Sequence, residues 1–137
     1  MRKIGKCNKC GEVKLLLSRR VHVCVDCERE RRTKLEAYQR HKALVEYSFT
    51  GDTPQCHCCG ETIEQFLTFD HAQSKSRHLY DEPANKQQMS SIRLVRWLLK
   101  EHRNGMLVAC FNCNLGREKN NDICPHKTLL LSKGLVA

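Results

Sequence analysis

Cys56-His57-Cys58-Cys59-Gly60, Thr68-Phe69-Asp70-His71 and Cys110-Phe111-Asn112-Cys113-Asn114 mark out the stretch on which the reading of this chain turns. Two C-x2-C pairs, Cys56/Cys59 and Cys110/Cys113, stand fifty residues apart. Four thiolates so paired match the tetrahedral set that Zn2+ takes at structural sites. Such a site clamps together two segments distant in sequence, and those segments carry Asp70, His71 and Asn114. Asp and Asn oxygens suit a hard cation such as Mg2+, and an imidazole accepts a proton near neutral pH. The expectation is a zinc staple that gathers a general base and a half-built divalent-metal site on one small frame.

Working outward, the whole chain has 137 residues, 6% aromatics and a single Trp, so no large core is available. Small domains of this kind need staples, and ten cysteines supply them. Zinc and disulfides both fit that count, and compartment decides between them. The start, Met1-Arg2-Lys3-Ile4-Gly5-Lys6, is basic but has no apolar run behind it longer than Leu15-Leu16-Leu17. No stretch reaches the apolar length of a membrane span. The reading is a cytoplasmic chain, not secreted, with its cysteines on zinc.

The formal net charge is +9, unevenly placed. Residues 1–50 hold 13 basic and 6 acidic side chains (+7), and residues 51–137 hold 11 and 9 (+2). Each four-thiolate zinc site carries a net −2, so two such sites lower the total to about +5. The excess that remains favours a polyanionic partner, most simply nucleic acid.

A second zinc set lies at the N-terminus, where Cys7-Asn8-Lys9-Cys10-Gly11 is followed by Cys24-Val25-Asp26-Cys27, with thirteen residues between Cys10 and Cys24. Glycine after a knuckle suits the positive-φ turn that aims backbone N–H groups at sulfur. Between the knuckles, Glu12 to Val23 reads as a short hairpin with a basic tip at Ser18-Arg19-Arg20. This zinc ribbon-like module, residues 1–27, serves either as a DNA-docking unit through Arg19 and Arg20 or as a folding staple. Residues 28–50 form a basic connecting helix with a narrow stripe of Leu35, Tyr38, Val45 and Phe49. Arg29, Arg31, Arg32, Lys34, Arg40 and Lys42 cover much of its remaining surface and are candidate phosphate contacts.

Thr50-Gly51-Asp52-Thr53-Pro54 ends that helix. Residues 64–70 read as a strand that delivers Asp70 and His71, and residues 72–89 as a polar loop in which Arg77 is placed to approach a phosphate. Ser90 or Ser91 caps a helix reaching Lys100, with Ile92, Val95, Leu98 and Leu99 or Trp97 inward. Met106–Ala109 reads as a second strand, and a short helix starts near Cys113 and runs to about Asn120. Leu129-Leu130-Leu131, in a C-terminal tail of residues 128–137, suits either the core or a second copy of the chain in a homodimer.

Cys56/Cys59, Asp70-His71, Cys110/Cys113 and the Asn114 that follows at once resemble the His-Me finger (HNH) endonucleases, in particular the phage recombination endonuclease VII-like branch. Leu94–Lys100 is similar to the helix such proteins carry between strand and second knuckle. Asn121-Asp122-Ile123-Cys124-Pro125-His126 is similar to their Cys-Pro-His tail. The resemblance implies a small zinc-stapled α+β fold with a ββα-metal domain over residues 51–127. It implies a DNA endonuclease in which His71 is the general base while Asp70 and Asn114 hold Mg2+ or a similar ion. Two structural zincs follow, one on Cys7, Cys10, Cys24 and Cys27 and one on Cys56, Cys59, Cys110 and Cys113.

Ala72 and Gln73 follow the Asp-His pair where that family often has a further His or Asp. Asn104 stands one position from the usual middle Asn. Arg117 and Lys119 on the last helix are either phosphate contacts or solvated surface. Cys58 and Cys124 are left over as thiols, because Cys124 and His126 alone are too few for another metal site. The rival reading is a non-catalytic zinc protein that binds nucleic acid.

Overall fold

The computed structural model describes residues 3–18, 20–71, 91–101 and 105–127. Strand β1 (Ile4–Lys6) pairs antiparallel with β2 (Val13–Leu15), and the reversal between them is the first cysteine knuckle. Gly11 sits at φ +76°, as its place after the knuckle requires. The strand pair therefore flanks Cys7 and Cys10, whereas the hairpin expected between residues 12 and 23 is reduced to one bridge, Leu16 to Cys24. The Leu17 N–H to the Val23 carbonyl at 3.0 Å supports that bridge. The knuckle supplies the tighter reversal, so β2 finds its partner behind it rather than ahead.

Helix α1 (Val25–Glu46) opens inside the fourth-cysteine knuckle, with Asp26 and Glu28 in the first turn, where the helix dipole favours acids. It begins three residues before the expected Glu28. The chain divides into two compact units, Met1–Tyr38 and Gln39–Ala137, with the boundary inside this helix.

The apolar stripe also differs from expectation. Leu35, Tyr38 and Phe49 are exposed, while Ala43 and Leu44 are fully buried. Among the described residues the first unit's interior is Cys7, Leu16 and Cys24, with Val23 and Cys27 at its edge. It offers no core for Leu35 or Tyr38 to enter, and only the last turns of α1 meet one.

In the second unit a short 3₁₀ turn (Glu64–Phe66) leads into β3 (Leu67–His71), which pairs antiparallel with β4 (Met106–Cys110). The register sets Leu67 opposite Cys110, Phe69 opposite Val108, Asp70 opposite Leu107 and His71 opposite Met106. Helix α2 (Ser91–Glu101) lies between the strands in sequence and buries Val95 and Leu98, with Ile92, Trp97 and Leu99 packed at the edge. Helix α3 (Phe111–Lys119) follows β4 without a linker and packs on both strands.

Leu44, Leu67, Phe69, Val95, Leu98, Met106 and Val108 form the core together with four of the cysteines. Tyr47 meets Phe69 edge-on at 6.1 Å and donates to the Leu98 carbonyl at 3.1 Å.

Candidate metal centres and the strand-end site

The Sγ atoms of Cys7, Cys10, Cys24 and Cys27 lie within 4.8 Å of one another. A tetrahedral zinc with Zn–S near 2.3 Å separates its sulfurs by about 3.8 Å. Cys10 and Cys24 stand 3.9 Å apart. Cys7 Sγ accepts from the Lys9 N–H at 3.3 Å and the Cys24 N–H at 3.2 Å, as metal-ligating thiolates do. Backbone N–H groups of Cys10, Cys24 and Lys9 bring the Cys7 thiol down to about 6. Sharing a proton with Cys24, together with burial, pushes Cys27 up to about 12. Cys7 is thus the thiol readiest to ionise, while Cys10 and Cys27 are held above their ordinary value.

Cys56, Cys59, Cys110 and Cys113 form a second such group, with Cys59 and Cys110 sulfurs 3.6 Å apart. Gly60 at φ +78° closes the knuckle. The His57 N–H and the imidazole Nδ1 both reach the Val108 carbonyl, at 2.9 and 3.0 Å, and tie the knuckle to β4. Cys110 is the N-cap of α3, its sulfur accepting from the Cys113 N–H at 3.4 Å. Burial pushes the Cys56 thiol up, but N–H groups of Cys59, Cys110 and Cys58 outweigh it and leave the thiol at about 7. Both cysteine groups can hold a metal ion such as zinc.

A third group was not expected. Cys58, Cys113, Cys124 and His126 also place their ligand atoms within 4.8 Å of one another. Cys58 and Cys124 are therefore not isolated leftover thiols, and Cys124 and His126 are joined by the two further donors that a metal site needs. Helix α3 ends in a Schellman closure, with the Asp122 N–H on the Arg117 carbonyl at 2.9 Å and Asn121 at φ +48°. That reversal carries Cys124 back over the start of α3. Gly116 lets it come close: a Cβ there would stand 2.9 Å from Pro125 Cδ. Burial, then the neighbouring Cys124, pushes the Cys58 thiol up to about 12, and burial raises Cys113 as well. The usable signals were an odd cysteine inside a knuckle and the Cys-Pro-His spacing, but only the fold shows that they meet.

At the end of β3, Asp70 is buried and its Oδ2 lies 2.5 Å from a guanidinium nitrogen of Arg117. Arg117 is itself buried and donates from Nε to the Asp122 carbonyl at 3.2 Å. The expected phosphate contact at Arg117 is thus corrected: its guanidinium spans from β3 to the turn after α3, inside the fold. Asn114 lies one turn earlier on α3, on the same face as Arg117. The Arg117 contact with Asp70 joins this helix to the end of β3. A cleft of about 220 Å³ is lined by His57, Leu107, Arg117, Asp122, Cys124 and Lys127.

Several candidate nucleic-acid contacts already have protein partners. Arg31 pairs with Glu28 at 2.6 Å, Lys34 with Glu30 at 2.6 Å, and Arg29 with Asp26 at 3.7 Å. Arg40 donates to the carbonyls of Leu67 and Glu64, at 2.5 and 3.4 Å, and so holds α1 to the 3₁₀ turn. Arg20, Arg32, Lys42 and Lys119 are exposed. Arg19, Arg77, Ala72, Gln73, Asn104 and the Leu129–Leu131 tail lie outside the described residues. Among the described residues no helix is long and apolar enough to cross a membrane. No family model, no curated protein and no solved structure matches the chain.

Proposed function

We propose that the chain is a metal-dependent DNA endonuclease of the kind its sequence resembles, with His71 as general base and Asp70 and Asn114 as protein ligands of Mg2+ or a similar ion. The observation that carries this reading is the α3 face shared by Asn114 and Arg117, whose contact with Asp70 turns that face toward the end of β3. Phosphodiester hydrolysis needs an activated water, neutralisation of phosphate charge and help for the departing oxygen. An imidazole suits the first task as a general base. A carboxylate and an amide oxygen suit the second and third, since two protein ligands leave Mg2+ room for water and phosphate oxygens. Zinc in the cysteine groups then has a structural part, holding knuckle, strand and helix in register.

The Asp70–Arg117 pair also favours a second reading, a zinc protein that binds nucleic acid without cutting it. A carboxylate engaged by a guanidinium is less available to a cation. Supercoiled plasmid separates the two. Zinc-loaded protein in metal-free buffer, with and without added Mg2+, should nick or linearise plasmid only with Mg2+. Retarded but intact plasmid under both conditions supports the binding reading.

A further inference from the structure

We propose that the second unit holds two zinc ions in a binuclear cluster whose tetrahedra share the Cys113 thiolate. Cys113 belongs to both cysteine groups of this unit, one completed by Cys56, Cys59 and Cys110 and the other by Cys58, Cys124 and His126. Two tetrahedra that share one corner need seven donors, and the two groups together contain six cysteines and one histidine. A thiolate sulfur has lone pairs for two cations, so Cys113 need not choose between them.

The distances fit. With Zn–S near 2.3 Å and Zn–N near 2.0 Å, a tetrahedral zinc holds sulfur and nitrogen about 3.6 Å apart. His126 Nδ1 stands 3.6 Å from the Cys124 sulfur and 3.2 Å from the Cys113 sulfur. Three cysteines and one histidine are an established structural donor set for zinc. Burial fits as well: Cys113 and Cys124 are 0% and 2% exposed, and His126 closes the solvent side.

The backbone is shaped to deliver these ligands. Asn121 and Asp122 both adopt positive φ, at 48° and 65°, so the chain doubles back immediately after α3. Gly116 then admits Pro125 against the helix, one turn beyond Cys113. The added zinc brings two positive charges and engages two further thiolates, Cys58 and Cys124, so the cluster gains no net charge. This assignment is independent of any nuclease activity. It makes the tail after α3 part of the metal core, wired to the same sulfur that anchors the β4–α3 junction.

The test needs no variant. Native mass spectrometry and metal analysis of the full chain should give three zinc ions, one for the first unit and two for the second. After exchange with ¹¹³Cd, the NMR spectrum should show three resonances, two of them split by mutual coupling through the shared sulfur. Cys124→Ser combined with His126→Ala should remove one metal ion and abolish the splitting. Two metal ions per parent chain, or three resonances without mutual splitting, would overturn the proposal.

Discussion

Arg117 and Asp70 form an ion pair inside the second unit, 2.5 Å between nitrogen and oxygen, with side-chain exposures of 10% and 11%. It joins the end of β3 to the middle of α3. The same guanidinium holds the carbonyl of Asp122, so one side chain fixes strand, helix and the reversal that follows. Breaking such a pair leaves a buried charge without its partner, at a cost of about 3 kcal/mol or more. Arg117→Met should therefore lower the denaturation midpoint of the second unit markedly, and Asp70→Asn added to it should recover part of the loss. An unchanged midpoint would return Arg117 to the surface, as a phosphate contact only.

Gly116→Ala sets two effects against each other. Helix propensity alone favours alanine by about 1 kcal/mol. The new Cβ would stand 2.9 Å from Pro125 Cδ, and a proline ring cannot swing aside. Overpacking of this kind costs about 1–3 kcal/mol, so the variant should be less stable than the parent, not more. Thermal unfolding measures the sign directly.

The first unit rests on its metal. Among the described residues three buried side chains, two of them cysteines, make up its interior. Structural zinc contributes on the order of 10 kcal/mol to folding of such modules. Cys24→Ser should lose one zinc and the amide-exchange protection of β1 and β2, while protection in β3 and β4 persists. Full protection of β1 and β2 without zinc would show that the module folds by other means.

Basic residues on α1 are partly neutralised by their own neighbours, Glu28 and Glu30 among them. Phosphates must compete for Arg31 and Lys34, which leaves the exposed Arg32 and Lys42 as the simpler partners. Replacing Arg32 and Lys42 together with Gln should flatten the slope of log affinity against log salt by up to about 1.8, near 0.9 for each phosphate no longer neutralised. A slope identical to the parent's would remove this face from the DNA interface.

Much of the second unit can be read from residue order. The spacing of Ile92, Val95 and Leu98 announces α2 and its inner face, and the glycines after the Cys7/Cys10 and Cys56/Cys59 knuckles sit at the positive φ their positions demand. What is not legible depends on which core a side chain reaches. Leu35 and Tyr38 look as apolar as Leu44, yet only Leu44 lies where the helix meets a packed interior. Cys58, Cys113, Cys124 and His126 are scattered over sixty-nine positions in no familiar spacing, and only the Schellman turn after α3 brings them together. Arg117 has the sequence context of a surface arginine, and nothing local predicts that Asp70, forty-seven residues away, will be its partner.

The central claim is that His71 takes a proton from the attacking water. The most direct measurement is the single-turnover rate of plasmid nicking at saturating protein and fixed Mg2+, for the parent and for His71→Ala. Both proteins should first be matched for zinc content and DNA affinity. A positioned general base is worth roughly 10²–10⁴-fold in rate, so the variant should be slower by at least the lower figure while binding DNA equally well. A His71→Ala protein that nicks as fast as the parent would contradict the account.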